Sequence, residues 1–545
     1  MSIASRLGRP DILDLPPVDI AGAPLAGTVR LDANENPFEA LVSGGAGVNR
    51  YPEPQPALLR RRLADLYGVS PDRLWTTRGS DDAIDLLIRA FCRAGQDSVA
   101  VVEPTFSAYA QFARVQGARL VTARLGEDFA FDADSVIAAV GPHRPKLLFL
   151  CTPNNPTGTP VDPNDVRRIA AALPDTLVIA DEAYGEFSDA PSLAPEAGAI
   201  ANLVVLRTLS KAYGLAGARI GCAIAGADVI ALLAKVSPPY PLPVPSIAAA
   251  LDALGPERMP VHRQRIARLL EERDRLAPIL ESADGVRRVL AGGNFLFLEV
   301  DDPADLARRL VAAAVRVRFR PNAAPGGVRV TIGTDRENAA LLAVFGTEPM
   351  GAPARRADVV RDTRETRIVL SIDLDRAEPR RIDSGIAFYD HMLDQVAAHG
   401  GFSLILACRG DLDIDPHHSI EDVAIALGQG LREALGDKRG IGRFGFALPM
   451  DETRAEVLVD LSGRPFARFE GQFDSASVGG LPTEMVPHIF RSLADSLGAA
   501  IHVRVEGEND HHKVEACFKA FGRALRSGLA LEGDRNALPS TKGML

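Results

Sequence analysis

The residues best able to do chemistry fall into two groups. The first is Asp181-Glu182-Ala183-Tyr184, followed by Ser210-Lys211 and, after the glycine-rich stretch Gly214-Leu215-Ala216-Gly217, by Arg219. A Schiff-base lysine, an acid to face a pyridinium nitrogen and a basic phosphate site are the groups a pyridoxal-phosphate enzyme needs. Asp181 directly follows the apolar run Leu177 to Ala180, so it is predicted at the carboxyl end of a strand, where ligands of open α/β sheets gather. The glycine stretch lacks the GxGxxG spacing of a dinucleotide loop.

The second group is a repeated HHxxE: His417-His418-Ser419-Ile420-Glu421 and His511-His512-Lys513-Val514-Glu515, each with another histidine upstream, His391 and His488. On a helix the first histidine and the glutamate share one face, while the second histidine points about 100° away, so one motif can serve two different metal sites. A single such motif is weak evidence; its duplication is what points to metal. Imidazoles and carboxylates alone suit zinc, iron, nickel or manganese.

Two kinds of scaffold must position these groups. From about Asn49 to Gly333, short apolar runs (Ser98 to Val102, Leu147 to Leu150, Leu177 to Ala180, Leu203 to Leu206, Ile220 to Ile224) alternate with amphipathic helical stretches. This predicts a largely parallel sheet covered by helices on both faces. The pattern lapses near Gly346 to Arg361, and beyond it histidine becomes dense. We expect domains at 1–348 and 359–545 joined by a linker at 349–358, the second built from two duplicated sheet-plus-helix halves.

A chain of 545 residues exceeds what one core supports. A net charge of -10 disfavours nucleic acid, though small phosphorylated ligands on a few placed arginines are allowed. The five cysteines show no CxxC spacing, there is no signal-like start, and no stretch reaches the roughly 18 unbroken apolar residues of a membrane span. The expectation is a cytoplasmic protein with no membrane partner.

Asn34-Glu35-Asn36-Pro37, Arg50-Tyr51-Pro52-Glu53-Pro54, Arg78-Gly79-Ser80-Asp81, Thr152-Pro153-Asn154-Asn155-Pro156-Thr157-Gly158, the Lys211 segment and Val328-Arg329-Val330-Thr331-Ile332-Gly333 together resemble the fold-type I aminotransferases, and within them histidinol-phosphate aminotransferase. The resemblance implies that Lys211 carries pyridoxal 5'-phosphate and moves protons, and that Asp181 keeps the ring nitrogen protonated. Asn155 and Tyr184 bond the cofactor phenolate, Phe106 stacks on the ring with Tyr109 as runner-up, and Ser80, Asp81, Ser210 and Arg219 hold its phosphate. Tyr51 reaches the cofactor of a partner subunit, making a dimer. Arg329, helped by Arg318, takes the carboxylate of glutamate or the substrate phosphate.

Residues 359 to 545 carry Arg364-Glu365-Thr366-Arg367-Ile368, Phe388-Tyr389-Asp390-His391, both HHxxE motifs, Pro449-Met450-Asp451-Glu452, Leu461-Ser462-Gly463-Arg464-Pro465 and Pro539-Ser540-Thr541-Lys542-Gly543, and resemble imidazoleglycerol-phosphate dehydratase. The resemblance implies two Mn2+ sites, one from His391, His418, His511 and Glu515, the other from His417, Glu421, His488 and His512, shared between subunits of a particle of about 24 chains. Glu365 is implied as a proton carrier or substrate ligand, His399 as a substrate ligand, and Arg443, Arg464, Ser540 and Lys542 as a phosphate clamp. No phosphatase-like DxDxT motif occurs. The expectation is therefore a bifunctional histidine-biosynthesis enzyme, since the ketone leaving the second site is the amino acceptor of the first. The alternatives are an aminotransferase for another, aromatic amino acid, or a chain in which one half is a non-catalytic regulatory or assembly module.

Overall fold

The computed structural model describes residues 2–16, 47–347, 354–445, 449–532 and 537–540. The chain divides into two compact units, one of residues 1–255 and 264–350, the other of residues 351–545 together with 256–263.

In the first unit the apolar runs become strands β1 (Leu74–Thr77), β2 (Ser98–Glu103), β3 (Arg119–Arg124), β4 (Leu147–Cys151), β5 (Leu177–Asp181), β6 (Leu203–Thr208) and β7 (Gly221–Ile224). They form one sheet in the order β1-β7-β6-β5-β4-β2-β3. β2 to β6 pair in parallel, as the alternation predicts, while β7 runs antiparallel to both β6 and β1. β4, β5 and β6 are buried along their whole length, which explains why they read as unbroken apolar runs. A second sheet, not foreseen, is antiparallel throughout: β8 (Val286–Gly292), β9 (Phe295–Val300), β10 (Arg318–Phe319) and β11 (Gly327–Thr331), in the order β10-β11-β9-β8.

The carboxyl ends of β5 and β6 are tied together by charge. Arg207 on β6 is buried and donates to Glu182 at 2.7 Å and Glu186 at 2.6 Å, with its guanidinium 4.7 Å from the centre of the Tyr67 ring. Gly185 gives it room, since a Cβ there would lie 2.3 Å from Arg207 Nη1. Removing only the cation leaves two buried carboxylates unpaired, so Arg207→Met is expected to cost about 3–5 kcal/mol. Calorimetry of the cofactor-free protein should show one unfolding transition moving down by several degrees while the other stays in place; an unmoved first transition contradicts this.

In the second unit, β12 (Arg356–Asp362), β13 (Thr366–Asp373), β14 (Arg380–Asp383) and β15 (Ser403–Gly410) form a sheet ordered β12-β13-β15-β14. β12 starts at Arg356, inside the stretch read from sequence as linker. A second sheet contains β16 (Phe444–Gly445), β17 (Pro449–Met450), β18 (Thr453–Asp460), β19 (Phe466–Glu470) and, after the small hairpin β20 (Ser477–Val478) and β21 (Leu481–Pro482), β22 (Ala500–Glu506). The duplication is exact in topology: β13 pairs antiparallel with β15, which pairs in parallel with β14, and β18, β22 and β19 repeat that pattern. Each half carries two helices, Ala387–Gly400 and His417–Leu435 in one, Met485–Leu497 and Asp510–Leu529 in the other. One apolar core, including Phe490, Phe518 and Phe521, joins both halves. Among the described residues no helix is long and apolar enough to cross a membrane.

Candidate active site and candidate metal centres

Every cofactor-site candidate named from sequence in the first unit, Tyr51 excepted, lines one cavity of about 170 Å³ beyond the carboxyl ends of β5 and β6. Its floor is Asp181, only 3% exposed. Burial pushes this carboxyl up to about 6, against the pull of hydrogen bonds from Tyr109 and the Ala183 amide. Tyr109 donates to Asp181 Oδ2 at 2.7 Å and the Ala183 N–H to Oδ1 at 3.1 Å. Among the described residues Asp181 has no ion-pair partner. A buried carboxylate held ready without a cation suits a protonated ring nitrogen.

Lys211 faces the same cavity with its Nζ 5.6 Å from the Tyr184 ring centre. Its pKa is lowered by burial first, then by Arg329 and Arg219. Both cations disfavour a third charge, which raises the fraction of neutral, nucleophilic amine. Arg329 Nη1 donates to Asn155 Oδ1 at 2.6 Å.

At the other end, the helix Ser80–Phe91 starts directly after Gly79, whose φ of 75° a side chain would strain. A Cβ at Gly79 would also lie 2.5 Å from Arg219 Nη2. Arg219 itself has φ 56° and contacts Ser210 Oγ at 3.3 Å and Asp81 Oδ2 at 3.1 Å. A helix N-terminus, a guanidinium and two hydroxyls converging there make an anion site.

Three placements refine the sequence reading. Phe106 and Tyr109 both line the cavity, but the fully buried Tyr109 ring lies against Phe149 at 4.8 Å and its hydroxyl donates to Asp181. Arg318 does not line the cavity; it is exposed on the edge strand β10, and Arg320, missed from sequence, takes its place. Alternation along the chain after Arg318 was the available signal. Tyr51 lies apart, 51% exposed and stacked on Tyr240 at 4.5 Å. The Asn34-Glu35-Asn36-Pro37 segment falls outside the described residues.

Because Tyr109 holds Asp181 ionised, Tyr109→Phe should raise the Asp181 pKa further. Loss of a hydrogen bond to a charged group, worth about 1.5–3 kcal/mol, predicts roughly a 10- to 100-fold fall in transamination. Retention of pyridoxal phosphate on acidification should fail at a higher pH than in the parent. Unchanged pH dependence of cofactor release would refute the assignment.

In the second unit, helix packing crosses the duplication. The helix Ala387–Gly400 packs on Asp510–Leu529, and His417–Leu435 packs on Met485–Leu497, so each upstream histidine meets the other half's motif. The ligand atoms of His417, Glu421 and His488 all lie within 4.8 Å of one another. His488 Nε2 is buried, 3.1 Å from Glu421 Oε1, and makes no hydrogen bond. An orphaned imidazole nitrogen beside a carboxylate and a second imidazole fits a cation. In the other pairing, Glu515 lies 3.7 Å from His391 Nε2 and 3.8 Å from His511 Nε2. The second histidine of each motif lies apart from the first: the His417 and His418 ring centres are 6.1 Å apart, as are those of His511 and His512. His418 approaches Glu365 at 3.8 Å and Asp411 at 3.1 Å; His512 approaches Glu452 at 2.9 Å. Thus one chain assembles three members of each expected set, and His418 and His512 stand apart.

Of the expected phosphate clamp, Arg443, with φ 66°, is held by Asp460 at 2.7 Å and donates to the Pro539 carbonyl at 2.9 Å, beside Ser540. Arg464 is exposed, and Lys542 lies outside the described residues. His399 bonds Gln395 at 3.1 Å within its own helix.

The class I and II aminotransferase family model matches residues 27–345. The chain belongs to the class I and II aminotransferases. The imidazoleglycerol-phosphate dehydratase model matches residues 384–525. The histidinol-phosphate aminotransferase of Xylella fastidiosa (strain 9a5c) is 44% identical over 329 residues, 59% of this chain and 90% of that protein. The histidine biosynthesis bifunctional protein HisB of Stenotrophomonas maltophilia (strain R551-3) is 61% identical over 191 residues, 35% of this chain, and the chain spans only 53% of that protein's length. The crystal structure of histidinol-phosphate aminotransferase from Sinorhizobium meliloti in complex with pyridoxal-5'-phosphate superposes with TM-score 0.50 at 27% identity, covering 58% of this chain and 90% of that one.

Proposed function

We propose that this aminotransferase carries two consecutive steps of histidine biosynthesis: its second unit dehydrates imidazoleglycerol phosphate to imidazole-acetol phosphate, and its first transaminates that ketone with glutamate to histidinol phosphate and 2-oxoglutarate. The observation that carries this reading is that one chain holds two chemically distinct sets of functional groups: Lys211 with Asp181 in one cavity, and the paired HHxxE motifs, of which His417 and Glu421 gather with His488.

In the first unit, Asp181, Asn155, Tyr184, Ser210 and Arg219 would hold pyridoxal phosphate, which supplies an electron sink when bound. Lys211 carries a proton from one carbon to the next, and its lowered pKa raises the share of neutral amine able to take that proton. Arg329 and Arg320 present guanidinium forks to the carboxylate of glutamate and then to the substrate phosphate. Exposed Tyr51 completes the cavity of a partner subunit in a dimer.

In the second unit, the two histidine–glutamate sets would hold divalent manganese, whose charge favours an imidazolate form of the substrate. Glu365, 3.8 Å from His418, carries the proton lost from the carbon chain on this reading. Since a single chain leaves His418 and His512 apart from their sets, the fourth ligand of each site comes from a neighbouring subunit, which is why we also propose a cage of about 24 chains. We place the enzyme in the cytoplasm.

The test is incubation of the full chain with imidazoleglycerol phosphate, glutamate, pyridoxal phosphate and manganese. Histidinol phosphate should accumulate. Imidazole-acetol phosphate accumulating without it would overturn the transaminase half, and unconsumed substrate the dehydratase half.

A further inference from the structure

The duplication extends to a pair of residues beyond the ligand sets. Glu365-Thr366-Arg367 and Glu452-Thr453-Arg454 are the same tripeptide, and each glutamate immediately precedes the equivalent strand of its half, β13 or β18. Those strands pair with β15 and β22, which lead into the two HHxxE helices. Each glutamate therefore meets the second histidine of its own motif, but at different ring atoms. Glu365 Oε1 lies 3.8 Å from His418 Nε2, too far for a hydrogen bond. Glu452 sets both carboxylate oxygens on His512 Nδ1, at 3.1 and 2.9 Å. Its carboxylate is fixed in turn by the Thr453 hydroxyl at 3.2 Å and the Asn509 amide at 3.3 Å.

In the first half the Nδ1 position is filled from another place. Asp411, directly after β15, sets both oxygens on His418 Nδ1, at 3.3 and 3.1 Å. Both motifs thus end with the same arrangement: the second histidine has a carboxylate on Nδ1 and its Nε2 turned away from that carboxylate. A neutral imidazole that donates Nδ1–H to a carboxylate keeps its lone pair on Nε2, and the carboxylate raises the basicity of that nitrogen.

We propose, building on the metal-dependent dehydratase reading, that Asp411 and Glu452 are positioning residues that lock His418 and His512 in the tautomer presenting Nε2 to a metal, and that the duplicated glutamates have divided their roles. In the second half the glutamate orients its histidine. In the first half Asp411 took over that task, leaving Glu365 on the open side of His418, where substrate binds. The ligand atoms of Asp451, Glu452 and His512 also lie within 4.8 Å of one another, an arrangement that would suit a cation held by Glu452 itself. The Asp411–His418 pair argues against this, because the same carboxylate–imidazole contact occurs there with no such group of three donors among the described residues.

The experiment uses the full-length protein loaded with manganese, with affinity read by competition against a chelator at fixed pH and circular dichroism confirming the fold. Asp411→Ala and Glu452→Ala should each weaken manganese binding about 10- to 100-fold, while Asp411→Asn and Glu452→Gln, whose amide oxygens still accept the N–H, should stay within a few-fold of the parent. Glu365→Ala should bind manganese as the parent does. Alanine variants with parental affinity would overturn the proposal, as would Glu452→Gln failing as badly as Glu452→Ala, which marks a direct ligand. Glu365→Ala losing metal would overturn the division of roles. A parent that binds no manganese would instead overturn the metal reading from which the proposal starts.

Discussion

Replacing Lys211 with alanine is expected to abolish transamination and leave dehydration at the parental rate. In the cavity Lys211 is the amine that faces Asp181, Asn155 and the Ser210–Arg219 anion site. On the proposed reading its removal takes away both the covalent anchor and the base. General acid–base catalysis alone contributes about 10²- to 10⁴-fold, and loss of the covalent step adds to it, so residual turnover should fall by at least about 10⁴-fold. The anion site and Asp181 persist in the variant, so pyridoxal phosphate should still bind, but borohydride should no longer fix it to the protein. The measurement is glutamate-dependent conversion of imidazole-acetol phosphate, beside the dehydration rate of the same preparation. Substantial residual transamination would show that another group is the base. Loss of both activities in a folded variant would show that the two units depend on each other.

How much of this was legible in sequence depended on how local the signal was. β2 and β4 to β7 could be read because each is a short apolar run with turn residues around it, and the ligand motifs because a helix converts spacing into a face. What could not be read was set by contacts distant in sequence. In the β8 to β11 sheet, β8 is only partly buried and alternates weakly and β10 is two residues long, whereas β9 is an apolar, buried run of the same kind as β4 to β6 and could have been read. The role of Tyr109 depends on a carboxylate 72 residues away, and sequence spacing alone cannot distinguish a ring that stacks from one that donates. Arg318 and Arg320 differ by a register that only the edge strand settles. The crossing of the helices, by which His488 meets Glu421 and His391 meets Glu515, is a packing result that the motif's spacing does not give; the resemblance to the dehydratases alone implied those pairings.

That crossing sets the second large effect. Replacing His417 with alanine should remove manganese from the site shared with Glu421 and His488 and abolish dehydration, with transamination kept. His417 and Glu421 share one helix face, and His488 is brought to them by the packing of a second helix. With one imidazole gone, an alanine methyl leaves a half-exposed gap that water fills, so the remaining Glu421 carboxylate and His488 bind the cation as a weaker chelate. Loss of one nitrogen donor at a site whose ligands are worth several kcal/mol together should weaken binding by well over about 100-fold. The effect should reach assembly as well. If His418 and His512 complete the sites of neighbouring chains, each cation cross-links subunits, and emptying one set removes that link from every interface. Mass photometry of the parent with manganese should show particles of about 24 chains, and the variant, or the parent in chelator, should shift to smaller species. A variant that lost its metal yet kept the full particle size would show that apolar contacts alone hold the assembly and that the sites lie within single chains.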